Sequence, residues 1–221
     1  NMHEQNQTFK NLALFDFDGT LCTKDSFTGF IFYSLSKRHI VRQGLKILPW
    51  IQGYYLNLYP AHAMRIKLYH AMFSNSDATQ VQQMAEEYAQ KLISSLDPHL
   101  LKQLQMHQDL GHDVALVSAS VDLYLKPICN LLGIELICSE VEIKDQKITG
   151  QYQTADCSGE QKKIRILEKY NLHHYNSIYA YGNSVEDLQM LDLADYRYMV
   201  GTDQYLPRLP AQHKSQFADS D

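Results

Sequence analysis

The stretch NLALFDFDGTLCTKDS, residues 11–26, decides the fold. Leu12 to Phe15 form a short apolar run, and Asp16 and Asp18 follow two residues apart. On a strand, residues i and i+2 share a face. A strand carried through this point would set two carboxylates side by side against a hydrophobic core, where isolated charge is costly. An Asp that bonds its own backbone at a strand end explains one of the two readily and both poorly. The pair therefore points to chemistry or to a cation.

The rest of the chain frames that pair. At 221 residues it is long enough for one α/β domain carrying a sizeable insertion. Its hydrophobic share of 45% and charged share of 20% are those of an ordinary globule. Cys22, Cys129, Cys138 and Cys157 show no C-x-x-C spacing, which predicts reduced structural thiols. With a polar N-terminus and no secretory apolar segment, the expected location is cytoplasmic. The net charge of −5 hides an asymmetry: Ser26 to Ser76 contains no Asp or Glu, but holds Lys37, Arg38, Arg42, Lys46, Arg65 and Lys67. A solvated basic face accounts for this, as does a surface that meets anionic ligands or an anionic membrane. No nucleic-acid partner is expected.

Three buried strands are read at Leu12–Phe15, at DVALVS (113–118) and at SIYAYG (177–182). Between them, Asp97-Pro98 opens a helix that Gly111 closes. Ser120 is expected to cap a helix bent or interrupted at Pro127. Ser158 should cap a third, and Ser184 a fourth with Leu188, Leu191 and Ala194 on one stripe. VEIKDQKITGQY (141–152) reads as a β-hairpin. The alternation predicts an α/β fold with a doubly wound parallel sheet, whose ligands bind beyond the carboxyl ends of the strands. The interval 22–96 looks entirely helical, with Val81, Met84, Tyr88 and Leu92 on one face. It is too long for a crossover, so the expected domains are a core of 1–21 and 97–221 and an inserted helical cap of 22–96.

DFDGT, VSAS, the lysine of SGEQKK and GNSVED, in that order, resemble the haloacid dehalogenase superfamily, and the helical insertion with the hairpin is similar to its phosphoserine phosphatase-like branch. The resemblance implies a phosphomonoester hydrolase using Mg²⁺. Asp16 would be the nucleophile and form an aspartyl phosphate, and Asp18 the general acid and base. Ser118 and Lys162 would bind the phosphate. Lys163 is the rival lysine, and the family's G-x-x-K spacing from Gly159 selects Lys162. The metal would be held by Asp16, the backbone carbonyl of Asp18, Asn183 and Asp187. The family commonly has Asp where Asn183 stands, so one negative charge is missing. Asp187 also fits a capping box with Ser184.

For substrate, the branch has an acidic residue nine positions after the nucleophile and an arginine in the cap. Asp25 and Arg65 are the matching positions, although Asp25 fits a helix N-cap equally well. A small soluble phosphate ester of the phosphoserine type is expected. The alternative comes from VRQGLKILPWIQGYYLNLY (41–59), where Trp50, Tyr54, Tyr55 and Tyr59 lie among basic residues. This layout resembles the bacterial phosphatidylglycerophosphatases of the superfamily and suggests peripheral contact of the cap with an anionic membrane. Packing of this helix pair on the core is the plainer expectation. A catalytically lapsed phospho-ligand binding protein is the third reading, resting on Asn183 alone.

Overall fold

The structure, a computed structural model, describes residues 10–210. Strand β1 (Lys10–Phe15) leads directly into the cap helices α1 (Ser26–Ser34), α2 (Lys37–Lys46), α3 (Leu48–Tyr55) and α4 (Ala61–Phe73). A two-residue strand β2 (Ser76–Asp77) and helix α5 (Ala78–Ile93) complete this segment, so it is not purely helical. The chain returns through α6 (Pro98–Asp109), β3 (Asp113–Val121), α7 (Asp122–Leu132) and β4 (Glu135–Ser139). The expected hairpin follows as β5 (Val141–Lys144) and β6 (Lys147–Tyr152), and Asp145 and Gln146 make its turn with positive φ. Helix α8 (Glu160–Lys169), β7 (Tyr175–Gly182), the short α9 (Leu188–Leu191) and β8 (Tyr196–Met199) close the fold.

The central sheet has the order β4-β3-β1-β7-β8, all parallel, which is the doubly wound arrangement. Alternation along β1 sorts the two cores. Leu12 and Leu14 pack with Ile166, Tyr170, Met190 and Leu191 on one face. Ala13 and Phe15 pack on the other with Leu100, Leu104, Leu125 and the cap's Phe30 and Phe73. Both faces are covered, as a parallel sheet requires.

The cap's two ends meet at one point. Asp97 N–H bonds Leu21 O at 2.8 Å, and Cys22 forms an antiparallel bridge with Leu96. Cap and hairpin are also joined, because β2 pairs with β6 into a separate three-stranded sheet. Phe30 stacks on Phe73 and tilts against Tyr88 and Tyr124, so an aromatic cluster binds the cap to α7. All four cysteines are free and buried. No helix among the described residues is long and apolar enough to cross a membrane.

Several local expectations need correction. Ser120 does not cap α7: β3 runs on to Val121, and the Ser120 hydroxyl bonds Asp18 instead. Ser158 does not cap α8, whose N-cap is Gly159; its hydroxyl donates to Asp156. Pro127 does not interrupt α7. Ser184 does cap, with the full capping box to Asp187, but the helix it starts is a single 3₁₀ turn leading into α9. Met190 and Leu191 are buried there, while Leu188 is exposed and Ala194 lies beyond the helix. Of the α5 stripe, Val81, Tyr88 and Leu92 are buried and Met84 is only partly so.

Candidate active site

The site lies at the carboxyl ends of β1, β3 and β7. Strand β1 stops at Phe15, and the chain turns: Thr20 N–H and Cys22 N–H both bond Phe17 O. Asp16 and Asp18 are therefore not neighbours along one continuing strand. They meet different partners. Asp16 Oδ1 accepts from Lys162 Nζ at 2.8 Å and Oδ2 from the Thr20 hydroxyl at 3.0 Å. Asp18 accepts from Ser26 N–H and from the Ser120 hydroxyl, each at 2.7 Å.

Lys162, only 1% exposed, is the pivot. Its three ammonium protons find three acceptors: Asp16 Oδ1, Val117 O at 2.9 Å and Asp187 Oδ1 at 2.6 Å. All three protons are taken, and Lys162 holds the two carboxylates in place. Burial works against its charged form, but Asp16 and Asp187 more than offset that and hold its pKa above the lysine range. Burial raises Asp16 to about 7 against the pull of Lys162. Asp18 is also raised, by burial first, and the nearby Asp25 adds to the rise.

Asp187, 1% exposed, lies close to Gly182. A Cβ at 182 would come within 2.7 Å of the Asp187 Cβ, so only glycine lets this carboxylate in. Gly19 combines a φ of +79° with direct contact to the Asn183 amide. Any side chain there would be strained and crowded. Ser118 is buried and accepts from Ser120 N–H at 3.0 Å, leaving its own proton available.

The Asn183 amide tip bears on the metal question. It lies 2.7 Å from Asp16 Oδ2, 3.1 Å from Asp187 Oδ2 and 3.2 Å from the Asp18 carbonyl oxygen. All three are acceptors. When no cation is present the amide nitrogen must face them; with a cation among them, its oxygen can join as a fourth donor. No group of three His, Cys, Asp or Glu side chains gathers here among the described residues. The donor set is two carboxylates, a backbone carbonyl and an amide, all oxygen, which suits a hard divalent cation. The charge balance agrees, because Lys162 neutralises only one of the two carboxylates it touches.

The two expected substrate residues are placed apart from this cluster. Asp25 is the N-cap of α1, accepting from Thr28 N–H and the Thr28 hydroxyl, and remains exposed. Arg65 does not present a free guanidinium. It forks onto Asp156 at 2.9 and 2.8 Å and onto Glu186 at 3.2 and 2.6 Å. Burial disfavours its charge, but these carboxylates more than offset it and raise its pKa. Arg65 thus ties the cap to the loop that leads into α8, which carries Lys162, and to the turn that carries Asp187, and Gly159 N–H bonds Glu186 O between the two. Asp156 and Glu186 had no signal in the sequence, standing 91 and 121 residues from Arg65. Thr20 was visible within DFDGT, and Ser120 within VSAS, though not for the parts they play.

Residues 13–192 match the family of haloacid dehalogenase-like hydrolases. The chain is 27% identical over 194 residues to Protein CicA of Caulobacter vibrioides, covering 83% of each. It is 25% identical over 209 residues to the histidinol-phosphatase of Neisseria meningitidis serogroup C, covering 90% of this chain and 94% of the relative. Among solved structures, a Bordetella pertussis protein of unknown function aligns with a TM-score of 0.69 at 22% identity, over 87% of this chain and 90% of its own. A substrate-bound phosphoserine phosphatase aligns with a TM-score of 0.59 at 17% identity, over 85% and 84%. These two likenesses speak for the fold.

Proposed function

Because the chain belongs to the haloacid dehalogenase-like hydrolases, we propose that it hydrolyses a small phosphate ester through an aspartyl phosphate on Asp16, with Mg²⁺ as cofactor. The observation that carries this reading is the gathering of Asp16, Lys162, Asp187 and the Asn183 amide at the strand ends. Asp16, the Asp18 carbonyl, Asn183 and Asp187 would hold the metal. Bound there, Mg²⁺ supplies the positive charge that lets a carboxylate approach an anionic phosphoryl group.

The chain's own residues divide the remaining work. Lys162 fixes Asp16 so that its carboxylate can attack phosphorus, forming the Asp16 O–P bond as the ester O–P bond breaks. The Asp18 carboxyl, held by Ser26 and Ser120, gives its proton to the departing alkoxide. It then takes a proton from the water that attacks the aspartyl phosphate, which releases inorganic phosphate and restores Asp16. The free Ser118 hydroxyl is placed to donate to a phosphoryl oxygen.

Arg65 bears on the substrate. A substrate carboxylate could reach it only by displacing Asp156 or Glu186, so the reading favours an ester without that group. Histidinol phosphate, which lacks a carboxylate, and phosphoserine, which has one, are taken from the names of similar proteins and are the first two to screen, with turnover of the former expected to be the faster. The test is hydrolysis of an aryl phosphate with Mg²⁺ by wild type and Asp16→Asn. We expect turnover by the first and a loss of at least about a thousandfold in the second. Inactivity of wild type with every divalent metal would sink the hydrolase reading and favour a phospho-ligand binding protein.

A further inference from the structure

Helices α2 and α3 depart from the pattern of the other cap helices. Neither buries a residue, and at their junction only Ile47 is buried. Their apolar side chains nevertheless face outward: Val41, Leu45, Tyr55, Leu56 and Leu58 are exposed by 60, 64, 77, 68 and 80%. Val41 and Leu45 stand one turn apart on α2, with Arg38 and Arg42 beside them. Beyond α3, Asn57 takes a positive φ at a turn that carries Leu56 and Leu58. Trp50, the chain's single tryptophan, is 40% exposed with the Lys67 ammonium 4.1 Å from its ring centroid. The plainer expectation, that this helix pair packs on the core, holds only in part: Ile40 packs against the core and Ile47 is buried, while the residues above face solvent.

An exposed apolar surface of this extent marks a place that something covers. Its charge says what. No acid lies between Ser26 and Ser76, and among the described residues Lys37, Arg38, Arg42 and Lys46 make no ion pair. A second copy would bring the same positive charge against itself across a two-fold axis, which opposes pairing. An anionic bilayer satisfies both features, with basic groups at the headgroup phosphates, aromatic rings at the interface and leucines at the acyl boundary. We propose that the α2–α3 face of the cap docks on the surface of an anionic lipid bilayer. The helices lie along the surface, since no helix of the described residues can span it. This inference stands whether or not the chain hydrolyses phosphate.

The test uses the full chain with vesicles of phosphatidylcholine alone and of equal parts phosphatidylcholine and phosphatidylglycerol. Co-sedimentation should be strong with the mixed vesicles and weak with the neutral ones, and should fall as salt rises. Emission from Trp50 should shift to the blue on binding. The exposed double variants Arg38→Glu/Arg42→Glu and Leu56→Asp/Leu58→Asp should each weaken binding by on the order of tenfold, with unchanged circular dichroism and unchanged aryl phosphate hydrolysis. Absence of binding to mixed vesicles, equal binding to both kinds, or full binding by both variants would overturn the proposal. So would a dimer of the wild type that Leu56→Asp/Leu58→Asp dissociates, because the face would then be covered by a second copy.

Discussion

At Asn183, one amide stands where the family commonly has a carboxylate, and it lets the oxygen cluster be satisfied without a metal. Turned one way, its N–H₂ group serves Asp16, Asp187 and the Asp18 carbonyl. Replacing it with Asp removes that donor and adds a charge beside two buried acids. Asn183→Asp should therefore lose on the order of 1–3 kcal/mol in EDTA, a fall of several degrees in Tm for a chain of this size. Mg²⁺ should recover it, so the Tm difference between Mg²⁺ and EDTA should be clearly larger than in wild type. Equal metal responses in the two melts would show that Asn183 does not serve the cation site. The motif residues were legible because they sit within a few positions of one another on strand ends. The saturation of Lys162 was not, since its third acceptor is a backbone carbonyl of β3.

Among the elements, α7 shows how distant residues settle a local question. Pro127 has no N–H for the Leu123 carbonyl, the loss that suggests a break. Gln82 of α5 donates to that carbonyl at 3.2 Å, and the helix continues. Gln82→Ala should cost about 1–2 kcal/mol, measured by urea unfolding. In a Pro127→Ala background the helix supplies its own donor, so the same change should cost close to nothing. Equal costs in both backgrounds would assign Gln82 no such part. A donor 41 residues away leaves no local trace in the sequence, and the same holds for the serines. Ser120 and Ser158 read as caps because Ser before a helix usually is one; here Asp18 and Asp156 claim their hydroxyls. The three inner strands were easier to read, because burial on both faces of a parallel sheet writes continuous apolar runs, whereas the edge strands β4 and β8, with partly exposed residues, were not read.

For the whole molecule, acid sensitivity is set behind the sheet. His107 is fully buried, with Nδ1 2.8 Å from His112 Nδ1 and Nε2 2.8 Å from the Tyr181 hydroxyl. A bond between two imidazole nitrogens needs one of them bare, so the pair cannot keep it with both rings protonated. Burial first, then His112, holds His107 down at about 3. The unfolded chain takes up a proton near pH 6.5 that the folded one refuses. Stability from this group is thus whole above about pH 6.5 and falls by up to about 1.4 kcal/mol per pH unit below it. His107→Gln should flatten that acid limb in urea titrations between roughly pH 6 and 4, whatever it costs at neutral pH; an unchanged slope would place the sensitivity elsewhere. Tyr181 also accepts from Asp16 N–H through its backbone carbonyl, so the same residue supports Asp16. The path of the chain has one more consequence. Because the bond from Asp97 to Leu21 brings the ends of the insertion together, the sheet meets everything between them as if it were a short turn. Closing a loop costs only about 0.6 kcal/mol more for each doubling of its length. Segments of the cap can therefore be lengthened or trimmed at little cost to the sheet, provided Ser26 still reaches Asp18 and Arg65 still reaches Asp156 and Glu186.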